Sequence, residues 1–191
     1  MPLTEWIGVL VLLVTFGAQI TLRSVLFRIL KWLLPVAVAL VFAVLAYFVV
    51  LQYELWAGGK DFTRFLLPPY QSMSFFYGYV TKRLVLSWLL ALGAGFILAG
   101  LARILNQRFG RRFFEEEEPR LLALGIFLTG YPGFLFYLAF ILAFGVLLTT
   151  YYSLRSKGRA PLYYLWLPTA IFVIMVKNLL IPASFWAQFG F

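Results

Sequence analysis

The chain contains no histidine and no cysteine, and only 7 of its 191 residues are Asp or Glu. Without imidazole or thiol there is no His general base, no cysteine nucleophile, no Cys or His zinc set, no haem ligation by those residues and no disulfide framework. Cysteine usage therefore says nothing about redox compartment. Charge is scarce too: 12% of residues are charged against 63% hydrophobic, far from the roughly 45–50% apolar content of soluble domains. With 21 Phe, 11 Tyr and 6 Trp, and apolar runs that repeatedly approach about 20 residues, the composition asks for several helices through lipid. A second soluble domain has no room, so residues 1–191 read as a single membrane domain of all-α, polytopic type.

The 16 Lys and Arg leave a formal charge of +9. In a soluble chain that excess would suggest nucleic acid. In a membrane chain, basic residues collect in cytoplasmic loops and meet anionic headgroups, so lipids are the expected partner. Basic and aromatic residues do not interleave along a soluble surface, and nucleic acid is not expected.

The apolar pattern predicts six spans. The first runs from Trp6 to about Leu22. Glu5 precedes it and Arg23, Arg28 and Lys31 follow it, the reverse of a cleaved signal, which places the first connection inside and the N-terminus outside. The second runs from Trp32 to Gln52, with Pro35 in its first turns, where a missing amide donor is tolerated. Residues 53–80, with Gly58-Gly59, Asp61, Pro68-Pro69 and a Tyr and Phe cluster, read as an outer interfacial loop. The third span covers Leu84 to Leu105, where Gly93, Gly95 and Gly100 suit close helix approach.

Arg103, Arg108, Arg111 and Arg112 make residues 103–120 a charged cytoplasmic loop. From Leu121 to Thr150 the apolar stretch is about 30 residues, too long for one untilted span. Tyr131-Pro132-Gly133 divides it into a short fourth span and a fifth from Phe134 to Tyr151. The fourth has only about 15–20 Å of helix, so it needs local thinning of the bilayer or burial among other helices. Arg155, Lys157 and Arg159 mark a third inside connection. The sixth span runs from Leu162 to Ala183, bent at Pro168, with Trp186 near its outer end. Both termini face outward on this map, in a prokaryotic inner or plasma membrane.

Few residues remain to carry chemistry. Glu115, Glu116, Glu117 and Glu118 stand at a helix entrance, where the dipole favours carboxylates, Glu118 most of all. Arg111, Arg112 and Arg120 offset their repulsion, and the run is also a possible docking surface for a basic partner. Metal binding is disfavoured because adjacent residues of one helix point in different directions. No metal and no cofactor are expected. Lys177, beside Asn178, stands inside the last apolar stretch and is the most informative single residue. It reads as a structural contact to backbone carbonyls or as snorkelling toward the outer interface, with a substrate or anion site and a carboxylate from another subunit as alternatives. Glu5, Glu54 and Asp61 fall outside and the tetra-Glu run inside, so no carboxylate pair forms across the bilayer. Ser24 and Ser156 have no His, and Ser-Lys chemistry needs a desolvated lysine nearby.

The order Ile20-Thr21-Leu22-Arg23, then Glu118-Pro119-Arg120 opening a Leu-rich helix through Gly125 and Gly130, then Arg159-Ala160-Pro161-Leu162, resembles the type IV prepilin and preflagellin peptidases, which are membrane aspartic proteases. The resemblance covers most of the chain. It puts Thr21 where the family's first catalytic aspartate stands, Glu118 at the second and Arg120 at the family's lysine, while Glu115 and Glu117 replace both motif glycines. An aspartic protease needs one ionised and one protonated carboxyl group around a water, and Thr21 supplies neither. The resemblance therefore implies a degenerate member without catalysis, beside pilus, flagellum or secretion machinery. The expected function is a non-catalytic integral subunit or scaffold that assembles with other membrane proteins. The alternative is a small-solute binding or transport component built around Lys177, and residual peptidase activity through Glu118 is a third class.

Overall fold

The computed structural model describes residues 3–59, 62–110, 114–155 and 162–180, without the side chains of 23–27, 62 and 178–180. Arg23, Ser24 and Asn178 thus have a described backbone only, and Asp61, Arg111, Arg112, Ser156, Lys157, Arg159 and Trp186 lie outside the described residues. Among the described residues all regular structure is helical: α1 (Leu3–Thr21), α2 (Arg23–Gly58), α3 (Met73–Val80), α4 (Leu86–Arg108), α5 (Glu118–Thr129), α6 (Gly133–Leu154) and α7 (Trp166–Leu180). Short 3-10 turns occupy Phe62–Leu66 and Leu162–Tyr164, and a π turn at Thr81–Val85 fuses α3 to α4. Four stretches are long and apolar enough to cross a membrane: Leu3–Thr21, Arg28–Gly58, Met73–Arg108 and Gly133–Leu154. The chain is an all-α, polytopic membrane protein.

At its centre lies a helix that is itself too short to cross. α5 has 12 residues, or about 18 Å at 1.5 Å per residue. Every one of them except Arg120 is buried, because α1, α2, α4, α6 and α7 all pack on it. Burial among neighbours, one of the two expected accommodations of the short fourth segment, is thus what surrounds α5. Such encirclement needs narrow partners. The face that α4 turns inward is Trp88, Ala91, Gly95, Ala99, Ala102 and Asn106, a mostly small-residue stripe at helical spacing. A Cβ at Gly95 would stand 3.1 Å from the Ala123 carbonyl oxygen, so the two backbones meet there, whereas at Gly93 and Gly100 it would meet nothing within 4 Å. Only Gly95 of the three glycines thus makes the expected close approach. On the other sides, Gly8 of α1 faces the Leu128 carbonyl, and the Tyr137 ring of α6 lies over Gly125.

Several expected boundaries move. The basic segment after α1 is not a loop: Leu22 alone separates α1 from α2, and Arg28 and Lys31 ride on helix. Long cationic side chains reach water from a helix by extending along it, so they need not mark a loop. Pro35 consequently falls inside α2, while Pro168 sits in the first turn of α7, where its missing donor would be unpaired anyway. Pro168 thus takes the first-turn place expected of Pro35. Residues 53–80 are largely helical, narrowing the connection to 59–72, and Trp56, Leu67, Phe76 and Val80 form a separate small core there. Likewise Arg103 and Arg108 belong to α4, and of the charged loop the described non-helical residues are 109–110 and 114–117.

Candidate functional site

The buried α5 creates a polar problem at each end, since the last carbonyls of a helix have no intrahelical donor. Thr129 closes α5, and its hydroxyl turns back to the Gly125 and Ile126 carbonyls at 2.9 and 3.0 Å. The Thr129 carbonyl accepts instead from Nζ of Lys177, in the last turn of α7, at 3.3 Å. The same nitrogen lies 2.7 Å from Oε1 of Glu5, in the first turn of α1, with each side chain 8% exposed. Every charge here complements a helix end: the carboxylate an N-terminus, the ammonium two C-termini. The lysine whose partner the sequence does not reveal is thus paired, within this chain, with the carboxylate of Glu5.

Glu5 itself is the residue sequence reasoning misses, because its position before the first apolar run makes it an outer flank. The inward face of α1 is Thr4, Glu5, Gly8, Val9, Leu12, Thr15 and Gln19, with Leu, Val and Trp residues on the opposite face. A polar and small stripe at helical spacing on an apolar helix is the signal that places Glu5 inward. Gln19 carries the stripe to the far end of α1, where its amide donates to the Tyr163 carbonyl at 2.8 Å while its own oxygen has no hydrogen-bond partner. The contact between α1 and α7 and its preceding turn is therefore tied at both ends.

Beyond the pair the chain turns at Gly130, whose φ of +65° favours glycine, and the Tyr131 amide donates to the Ser87 carbonyl at 3.3 Å. The space above α5 is a cavity of about 370 Å³, with Glu5, Lys177, Arg83, Ser87, Tyr131 and Trp88 on its wall. Arg83 comes from the π turn, an element that concentrates at functional sites. Cations, one carboxylate and hydroxyl groups around such a space suit a small polar solute. They do not make an aspartic dyad, and the Lys177 nitrogen is already committed to Glu5 and Thr129, which argues against an amine nucleophile.

The remaining candidates lie at the opposite end of α5. Glu118 is buried in its first turn, and its Oε2 accepts the Glu115 amide at 3.0 Å. Glu115 and Glu116 are exposed, and Glu117 and Arg120 half-buried. Only Glu118 of the four is helical, so directions along one helix do not decide how the run is arranged. Thr21, exposed, donates its hydroxyl to the Gly17 carbonyl at 2.8 Å. Asn106 also escaped sequence reasoning: its side chain both donates to the Phe114 carbonyl at 2.7 Å and accepts the Phe114 amide at 3.0 Å, pinning the approach to α5 onto α4. Among the described residues no three acidic side chains converge as a cation seat. The full length of α5 separates the Glu run from Lys177, so the expected site residues divide into two places. No protein-family model, curated protein or solved structure matches the chain.

Proposed function

We propose that the protein is a non-catalytic integral membrane subunit or scaffold that assembles with other membrane proteins. The observation carrying this reading is that Lys177 spends its charge tying α7 to α1 and α5 through Glu5 and the Thr129 carbonyl. Gln19 and Asn106 act in the same way. Polar groups in the bundle interior are used here as ties between helices or between a helix and the segment leading into the next one, while α2 and α6 turn long apolar faces outward. In this proposal the chain crosses six times with α5 as a buried fourth pass. Arg28, Lys31, Arg103, Arg108, Arg120 and Arg155 then share the cytoplasmic side of a prokaryotic inner or plasma membrane, with both termini outside. The resemblance to prepilin peptidases supplies the setting, pilus, flagellum or secretion machinery, and Thr21 in place of an aspartate supplies the loss of catalysis.

Extraction from native membranes in mild detergent, followed by size analysis and crosslinking, tests the assembly. A complex larger than the chain is expected, and a solitary monomer under varied lipid conditions overturns the proposal. The cavity above α5 supports a second reading, a seat for a small polar or anionic solute. Reconstituted vesicles test it: solute binding or uptake lost with Arg83→Gln, an outward-facing residue outside the Glu5–Lys177 tie, would favour it over the scaffold.

A further inference from the structure

A second groove, of about 500 Å³, runs between α2, α4 and α5 on the outside of the bundle. Its wall carries three cations from three helices, Lys31, Arg103 and Arg120, and then Leu34, Val38 and Phe96 as the helices run on toward mid-bundle. Lys31 precedes Leu34 by one turn of α2, Arg103 follows Phe96 by two turns of α4, and Arg120 is in the first turn of α5. The charges therefore collect at one end of the groove and the apolar residues fill the other. None of the three cations has an ion pair among the described residues; Lys31 rests only over the Trp32 ring, at 5.9 Å. The tetra-Glu run does not line the groove. Arg120 also stands at a helix N-terminus, where the dipole opposes a cation and favours an anion.

We propose that this groove seats one anionic phospholipid, its phosphate among Lys31, Arg103 and Arg120 and one acyl chain against Leu34, Val38 and Phe96. Charge complementarity selects the headgroup, and a basic pocket between membrane helices is a known form of lipid recognition. The apolar wall selects a lipid over free phosphate, which would leave that wall empty. Exposed Trp32 beside Lys31 puts an interfacial aromatic at the headgroup end. The seat is independent of whether the protein is a scaffold or a solute binder.

The full chain, purified in mild detergent, is examined by native mass spectrometry with phosphatidylglycerol and with phosphatidylcholine of the same acyl chains. Preferential retention of phosphatidylglycerol is expected. Each cation removed should weaken that preference about fivefold, and Lys31→Gln, Arg103→Gln and Arg120→Gln together about a hundredfold. Gly100 lines the same groove and has open space beyond its Cα, so Gly100→Leu should fill the acyl path and weaken both lipids alike without touching a charge. If the triple variant does not fold, Lys31→Gln and Arg103→Gln singly, both outward-facing, give the same reading. Undiminished phosphatidylglycerol preference in the folded charge variants would overturn the proposal. So would wild-type retention by Gly100→Leu, or displacement of the lipid by inorganic phosphate at the lipid's own concentration.

Discussion

At the C-terminal end of α5 an ammonium, a carboxylate and a helix carbonyl meet within 3.3 Å, while around its N-terminal end Lys31, Arg103 and Arg120 line a groove with no acidic side chain on its wall. Both ends belong to one 12-residue helix, and both bring cations from neighbouring helices, so the contrast comes from the medium. Lys177 is closed in by protein, where an unpaired charge costs several kcal/mol, and it is found with a partner. Lys31 and Arg103 reach outward, where water and headgroups serve them, and they need none. The closed end is organised for structure and the open end for what surrounds the protein.

The strongest way to break the comparison is to leave half of the closed pair behind. Glu5→Gln strands the Lys177 ammonium and should destabilise the protein by about 3–5 kcal/mol, as should Lys177→Met, which strands the carboxylate. The double variant Glu5→Leu, Lys177→Met removes both charges and should recover most of that loss. Unfolding by denaturing detergent in mixed micelles measures all three. Losses that simply add would show that the two residues do not act as a unit.

Packing around α5 comes next. An alanine at Gly125 would drive its Cβ into the Tyr137 hydroxyl and ring, and overpacking of that kind costs about 1–3 kcal/mol. Gly100→Ala is the matched control, because open space lies beyond Gly100. Equal stability of the two variants in the same micelle titration would mean that α5 is not enclosed as tightly as its burial indicates.

Much of the helix map was legible because lipid demands long apolar runs, and Tyr131-Pro132-Gly133 announced the turn after α5 as a break in one of them. What escaped was legible only in a different variable. Glu5 stood too near the start of its helix to register as a membrane residue, although Thr4, Gly8, Thr15 and Gln19 share its face. The groove had no linear signature at all, since Lys31, Arg103 and Arg120 come from distant segments and only the packing of three helices brings them to one wall. Pro35 and Pro168 were visible as prolines but not as interior and first-turn positions. That distinction depends on where a helix begins, and basic residues read as loop obscured the start of α2.

At the far end of α1, Gln19 offers a milder version of the closed pair. Its amide donates to Tyr163 but its carbonyl oxygen is buried without a partner. Gln19→Ala therefore removes one hydrogen bond and one unsatisfied acceptor together, and the net loss should be small, about 0.5–1 kcal/mol. A loss as large as that of Glu5→Gln would mean that neutral and charged ties matter equally, and the distinction between the two classes would fail.

The smallest expected effect on stability is at the open end. Lys31 and Arg103 make no ion pair among the described residues and face outward, so Lys31→Gln and Arg103→Gln should each change unfolding stability in phosphatidylcholine-containing micelles by less than about 0.5 kcal/mol. Adding phosphatidylglycerol should then separate them from the wild type: a ligand that binds only the folded form raises its stability in proportion to occupancy, and the variants have lost part of that binding. The wild type should gain more than either variant on the same lipid addition, and added salt should narrow the gap by screening the headgroup. A large loss already present without anionic lipid would mean that these cations hold the bundle together as Lys177 does, and that the two ends of α5 follow one rule.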